Sequence, residues 1–170
     1  ANTVNGGNNT GWTGLITDPF TWTGNDFAVN LNWDNPLNWS GGVVPGALNI
    51  AWFTGLGTIR NCTMNAGVLP KGIRILSGYT GVITQGSNLV FGTEGVEQQG
   101  GTFTGGAYTI TNNGKWYQLL GTWTNCSGLF TQYAQGADIA TWNTAGGVFS
   151  GNNGTVEIVS NGLVKGDYTL

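Results

Sequence analysis

The sequence predicts an all-β chain wound as a parallel β-helix, or β-solenoid. Three observations carry this reading. A short motif recurs in the second half: Gly-Gly-Thr-Phe-Thr-Gly-Gly at 100–106, Leu-Gly-Thr-Trp-Thr-Asn-Cys at 120–126 and Gly-Gly-Val-Phe-Ser-Gly-Asn at 146–152. Its aromatic positions, Phe103, Trp123 and Phe149, lie 20 and 26 residues apart, a period that suits stacked coils. The apolar runs are short and punctuated by Gly, Asn or Ser, and no window shows the i, i+3, i+4, i+7 spacing of a helix. A β-sandwich is the alternative, but it calls for longer strands at 8–12-residue spacing.

Composition agrees with that class. The chain has 170 residues, 31 of them Gly, and only 8% are charged, against roughly 25% in an average globular protein. Gly and Asn supply tight turns. The net charge of −3 rests on few groups. The five cations Arg60, Lys71, Arg74, Lys115 and Lys165 are not clustered in sequence, so no basic stripe invites nucleic acid. No run approaches the roughly 20 apolar residues of a membrane span. The start, Ala-Asn-Thr-Val, reads like a mature secreted chain after signal-peptide cleavage.

In order, residues 1–20 lack periodicity and are expected to be an N-terminal arm or docking strand; residues 21–170 form a single solenoid domain. Residues 21–56 are Trp-rich and irregular, and Pro36 and Pro45 exclude a helix there. This segment is expected to cap the solenoid, as stacked repeats require. Ile50–Phe53 is a first strand. Strands follow over 58–64, 72–76, 82–84, 88–91, 102–104, 108–110, 116–120, 128–131, 139–142, 148–149 and 155–159. Glu94, Gly95 and Glu97 are expected to lie in a turn. The longer 26-residue interval predicts an outward loop near Gln132–Asp138.

Thr21-Trp-Thr-Gly, Asn38-Trp-Ser-Gly-Gly-Val-Val-Pro-Gly46, Asn49-Ile-Ala-Trp-Phe53 and Gly72-Ile-Arg-Ile-Leu-Ser-Gly-Tyr-Thr-Gly-Val-Ile-Thr84 resemble the openings of secreted bacterial β-helix proteins, including autotransporter-like adhesin passengers and related cell-surface repeat proteins. The resemblance implies an extracellular, adhesive or structural role. The chain is shorter than those passengers and shows no membrane-barrel domain.

Catalytic chemistry finds little to work with. There is no His, which removes Ser-His-Asp and Cys-His machinery and the usual zinc sites. Cys62 and Cys126 lack a base. Glycoside hydrolysis needs two facing carboxyls, and Glu94 and Glu97 read as solvated turn charges. A polysaccharide lyase or hydrolase is the least favoured reading, so no catalytic, cofactor or metal residue is assigned and no enzyme activity is expected. Asp26, Asn30, Asn32 and Asp34 form an oxygen-rich segment without a calcium-loop spacing and suit Asx-turns. Trp22, Trp33, Trp39 and Trp52 either close the cap or stack on sugar rings. Asn8, Asn38, Asn61, Asn125 and Asn153 begin Asn-X-Ser/Thr sequons, and the two with a central Cys are expected on buried strands. In one column, Cys62 and Cys126 would sit three coils, or about 14 Å, apart, too far for a disulfide.

Phe103, Trp123 and Phe149 are expected to form an interior ladder. Function is expected at the ends, where strand edges template further pairing unless blocked. Val4, Val156, Ile158, Leu163 and Tyr168 are the candidate assembly positions. The leading expectation is a secreted subunit that joins copies of itself head to tail in an extracellular filament or surface layer. A carbohydrate-binding adhesin module with surface glycans as partners is the alternative.

Overall fold

The structure is a computed structural model and describes residues 20–133, 140–159 and 163–165. Five coils are stacked, each built from short strands. The first holds β1 (Ile50–Phe53) and β2 (Cys62–Met64), and closes at Val68, which bridges to Leu89. The second holds β3 (Gly72–Ile75), β4 (Val82–Gln85) and β5 (Leu89–Phe91). The third holds β6 (Gly95–Gln98), β7 (Thr102–Thr104) and β8 (Ile110–Asn112). The fourth holds β9 (Trp116–Gln118), β10 (Thr122–Thr124) and β11 (Leu129–Tyr133). The fifth holds β12 (Ala140–Thr144), β13 (Val148–Ser150) and β14 (Thr155–Val159), and β15 (Leu163–Lys165) opens another.

Equivalent strands pair in parallel into three faces. The first face runs β1-β3-β6-β9-β12-β15, the second β2-β4-β7-β10-β13, and the third β5-β8-β11-β14. The sequence therefore folds as the all-β parallel solenoid that its short runs predict.

Strand alternation explains the core. Side chains point in and out with period two, and stacking in register puts like positions into columns. Ala51, Ile73, Val96, Trp116 and Trp142 form the inward column of the first face. Cys62, Ile83, Phe103, Trp123 and Phe149 form that of the second. Leu89, Ile110, Phe130 and Val156 form that of the third. Trp123 stacks on Phe103 at 3.7 Å with an interplanar angle of 9°, and Trp116 on Trp142 at 4.8 Å. Trp116 meets Trp123 edge-on across the interior at 4.5 Å and 86°. Each such buried ring contributes roughly 1.5–3 kcal/mol.

A second inward position, at the strand end, carries amides. Gln85, Gln98, Asn112, Gln118 and Gln132 are all buried. Their amides reach the next coil. Gln98 Nε2 donates to the Thr122 carbonyl at 3.0 Å, and Gln118 Nε2 to that of Val148 at 3.0 Å. Gln85 donates to the Thr109 carbonyl and accepts from the Gly106 amide. Asn112 Nδ2 donates to Gln132 Oε1 at 2.7 Å. At a corner the backbone leaves the ladder, and these side chains satisfy the carbonyls exposed there.

Several local expectations need correction. Gly95 to Glu97 is not a turn but part of β6, with Val96 inward and Glu97 outward. Gly95 is in the left-handed region, φ +64°, and a β-carbon there would run into the backbone of Gly114 and Lys115. A Gly at a strand start reads as punctuation, which is why this strand is hard to see in sequence. Gln132 and Tyr133 belong to β11, and Gln132 is fully buried. From Phe130 to Trp142 is 12 residues, against 6 from Ile110 to Trp116, so the extra residues fall in this interval. Residues 134–139 themselves lie outside the described residues. Cys62 and Cys126 do not share a column: Cys62 is in the second-face column, whereas Cys126 follows β10 at the corner. Both are buried free thiols.

Candidate functional site

The two ends of the stack differ, and the difference starts in composition. The Trp-rich segment folds over the first coil. The Phe20 carbonyl accepts from the Trp52 amide at 3.0 Å, and the Trp22 amide donates to the Trp52 carbonyl at 2.8 Å. The Trp33 amide donates to the Thr63 carbonyl and the Leu31 carbonyl accepts from the Thr63 amide. The outer edges of β1 and β2 are thereby paired with loop backbone. A 3₁₀ turn at Pro36–Asn38 follows its N-cap, Asn35. Pro fits such a start because its missing N–H would be unpaired there anyway.

Beneath that backbone, Trp22, Trp33 and Trp39 are 5%, 2% and 2% exposed. Trp39 packs edge-on against Trp22 and Trp33, and Phe53 lies below all three. Trp39 Nε1 donates to the Trp33 carbonyl at 2.8 Å, and Trp22 Nε1 to that of Arg60 at 3.2 Å. These indoles plug the end of the core and have no free face for a sugar ring. Trp52 stands half-buried on the outer side of β1.

The oxygen-rich segment serves the cap from within. Asn35 Nδ2 donates to Asp26 Oδ2 at 2.7 Å and to Asn30 Oδ1 at 3.3 Å. Asn30 Oδ1 also accepts from the Asn32 amide. Asn38, fully buried, donates to the carbonyls of Asn30 and Asn32 and accepts from the Asp26 amide. Outside, the cap presents exposed Phe27, Val29, Leu37, Val43 and Leu48. The Arg60 guanidinium lies over the Phe27 ring at 4.1 Å.

At the other end the columns lose their cover. Phe103 and Trp123 are fully buried, but Phe149, next in that column, is only half-buried. Ile110 and Phe130 are fully buried, but Val156 is half-buried. Asn112 and Gln132 are fully buried, but Ile158 is 38% exposed. β13 and β14 end their sheets. They contain no Pro and no Lys, and Glu157 is their one charge, so the usual edge protections are sparse. Leu163 lies in β15; Val4 and Tyr168 lie outside the described residues.

A third feature was scattered in sequence. Lys71, Arg74, Glu94 and Glu97, on neighbouring coils of the first face, form ion pairs of 3.2 Å (Lys71–Glu94), 3.2 Å (Arg74–Glu94) and 3.3 Å (Arg74–Glu97). The cations and carboxylates do cluster, contrary to their spacing in the chain, because parallel register sets residues about 20 apart side by side. Lys115 and Tyr117 extend this into a groove of about 560 Å³. Partly exposed pairs of this kind contribute about 0.2–1 kcal/mol each.

Of the sequons, Asn38 and Asn125 are buried, whereas Asn61 is exposed beside buried Cys62. Burial pushes the Cys62 and Cys126 thiols up from their ordinary range, and it holds the Tyr79 hydroxyl up as well, with Cys62 adding to the effect. Among the described residues no group of three or more Cys, Asp or Glu side chains is placed to hold a metal ion, and no helix is long and apolar enough to cross a membrane. No known protein family, curated protein or solved structure matches the chain.

Proposed function

We propose that the chain is a secreted structural subunit that joins copies of itself head to tail, in an extracellular filament or surface layer. The observation that carries this reading is the progressive uncovering of Phe149, Val156 and Ile158 on the last coil, in columns that are sealed everywhere else. An apolar core that ends against water is costly, at about 25 cal/mol per Å², and covering it drives association. The cap offers the complementary surface: its own core is closed, and exposed apolar residues stand on its outside. End-to-cap contact is heterologous, and such contacts propagate into filaments unless the rotation closes. The resemblance to secreted bacterial surface proteins supports export.

The test is light scattering behind size exclusion, with negative-stain microscopy, across a concentration series. Rods that lengthen with concentration are expected, and Val156→Lys/Ile158→Lys should shorten them to single subunits while leaving the β-sheet circular dichroism intact. Monodisperse single subunits at every concentration would remove the proposal.

A further inference from the structure

The second face has an outer surface unlike the other two. Its outward residues form two columns. Thr63, Thr84, Thr104, Thr124 and Ser150 are one; Val82, Thr102, Thr122 and Val148 are the other. Seven of the nine positions carry a hydroxyl, none carries a charge, and the other two are Val, which keeps the branched shape of Thr. The outward column of the first face, by contrast, mixes Arg74, Glu97, Tyr117 and Asn143. That of the third mixes Val90, Thr111, Thr131 and Glu157.

The spacing of this grid follows from strand geometry. Coils repeat at about 4.8 Å along the axis, and residues two apart on a strand stand about 6.6 Å apart across it. Five coils extend the lattice over roughly 19 Å. Thr is stiff at χ1 because it branches at Cβ, so methyl and hydroxyl hold fixed directions. The backing is rigid too: Phe103 and Trp123, each between a Thr pair, stack at 3.7 Å with parallel planes. None of the seven hydroxyls has a hydrogen-bond partner among the described residues. Thr84, Val148 and Ser150 are exposed, and the remaining six are partly so.

We infer that this face binds ice. An uncharged, two-dimensional array of hydroxyls and methyls on the outside of a sheet is poorly suited to most soluble ligands, which need a concave site. It suits a crystalline surface with matching periods, and the oxygen repeats on hexagonal ice are close to both spacings of the grid. The methyls hold adjacent water away from disordered arrangements, while the hydroxyls hydrogen-bond to oxygens the lattice already fixes. Water in ice is ordered before contact, so the entropy of immobilising it is not charged to binding. A crystalline polysaccharide is the other periodic surface, but sugar rings call for exposed aromatic faces, and all nine positions lack one.

The test is ice growth in the presence of the full chain: thermal hysteresis in a nanolitre osmometer, with crystal habit recorded, and recrystallisation in frozen sucrose films. Faceted crystals, a measurable hysteresis gap and suppressed coarsening are expected. Thr104→Lys/Thr122→Lys, which raises two long cations from the face, should abolish all three. Thr109→Lys, an exposed residue before β8 and off the grid, should leave them unchanged, with circular dichroism showing both variants folded. If the double variant does not fold, Thr104→Tyr serves in its place. Ice growth indistinguishable from that with an inert protein, or full activity in the folded grid variants, would overturn the inference. So would retention on crystalline cellulose or chitin with no effect on ice. Because a grid variant leaves β13 and β14 intact, loss of ice activity with assembly unchanged separates this site from the stack ends.

Discussion

Trp123 is fully buried in the interior, where it stacks on Phe103 and meets Trp116 edge-on. Trp123→Ala should cost about 3–5 kcal/mol, read as a fall in the urea midpoint with little change in slope. The thiols supply a second residue-scale prediction. Cys62 and Cys126 are held protonated by burial, so the folded state keeps protons that the unfolded state gives up above about pH 8.5. Their contribution is complete below that pH and is lost as pH rises through the raised folded values. Urea midpoints should therefore fall between neutral pH and pH ~10, and Cys62→Ala/Cys126→Ala should flatten that decline. A midpoint that stays level in the parent chain would show that the thiols do not couple to folding.

Between coils, register is set by amides as much as by packing. Gln98 donates to the Gly100, Gly101 and Thr122 carbonyls. Gln98→Leu fits the site in size but leaves these buried acceptors short of a donor, so a loss of about 1–3 kcal/mol is expected. Amide exchange should quicken most in β7 and β10, which flank that corner. Gly95→Ala tests a different restraint. It places a β-carbon at φ +64° against the Lys115 backbone, and the cost should exceed the ~1 kcal/mol of an unhindered left-handed Ala. Thermal unfolding would read it. A Gly95→Ala protein as stable as the parent would mean that β6 and β9 have room to separate.

For the whole molecule, the decisive feature is polarity. One end is shut by three buried indoles and paired loop backbone; the other tapers into half-buried Phe149 and Val156. Trp39→Ala should open the closed end. Beyond about 3–5 kcal/mol of destabilisation, it should increase binding of a dye that reports exposed apolar surface. The flanks divide the remaining chemistry, with ion pairs on one face and a hydroxyl lattice on another.

Much of this was legible in the chain itself. Short Gly-bounded runs, the recurring aromatic and the absence of helical periodicity determine a solenoid, because strand alternation and coil stacking follow from local pattern alone. Phe103, Trp123 and Phe149 could be aligned by eye for the same reason. Tertiary structure decided what depends on register between coils. Gln85, Gln98 and Gln132 look like surface residues until the corner carbonyls they satisfy are in place, although an amide shortly before a Gly at several corners was a signal. Glu94 and Arg74 are 20 residues apart and meet only by stacking. The Thr-x-Thr pairs were present in the repeat, but their lattice exists only once parallel pairing sets one coil above the next.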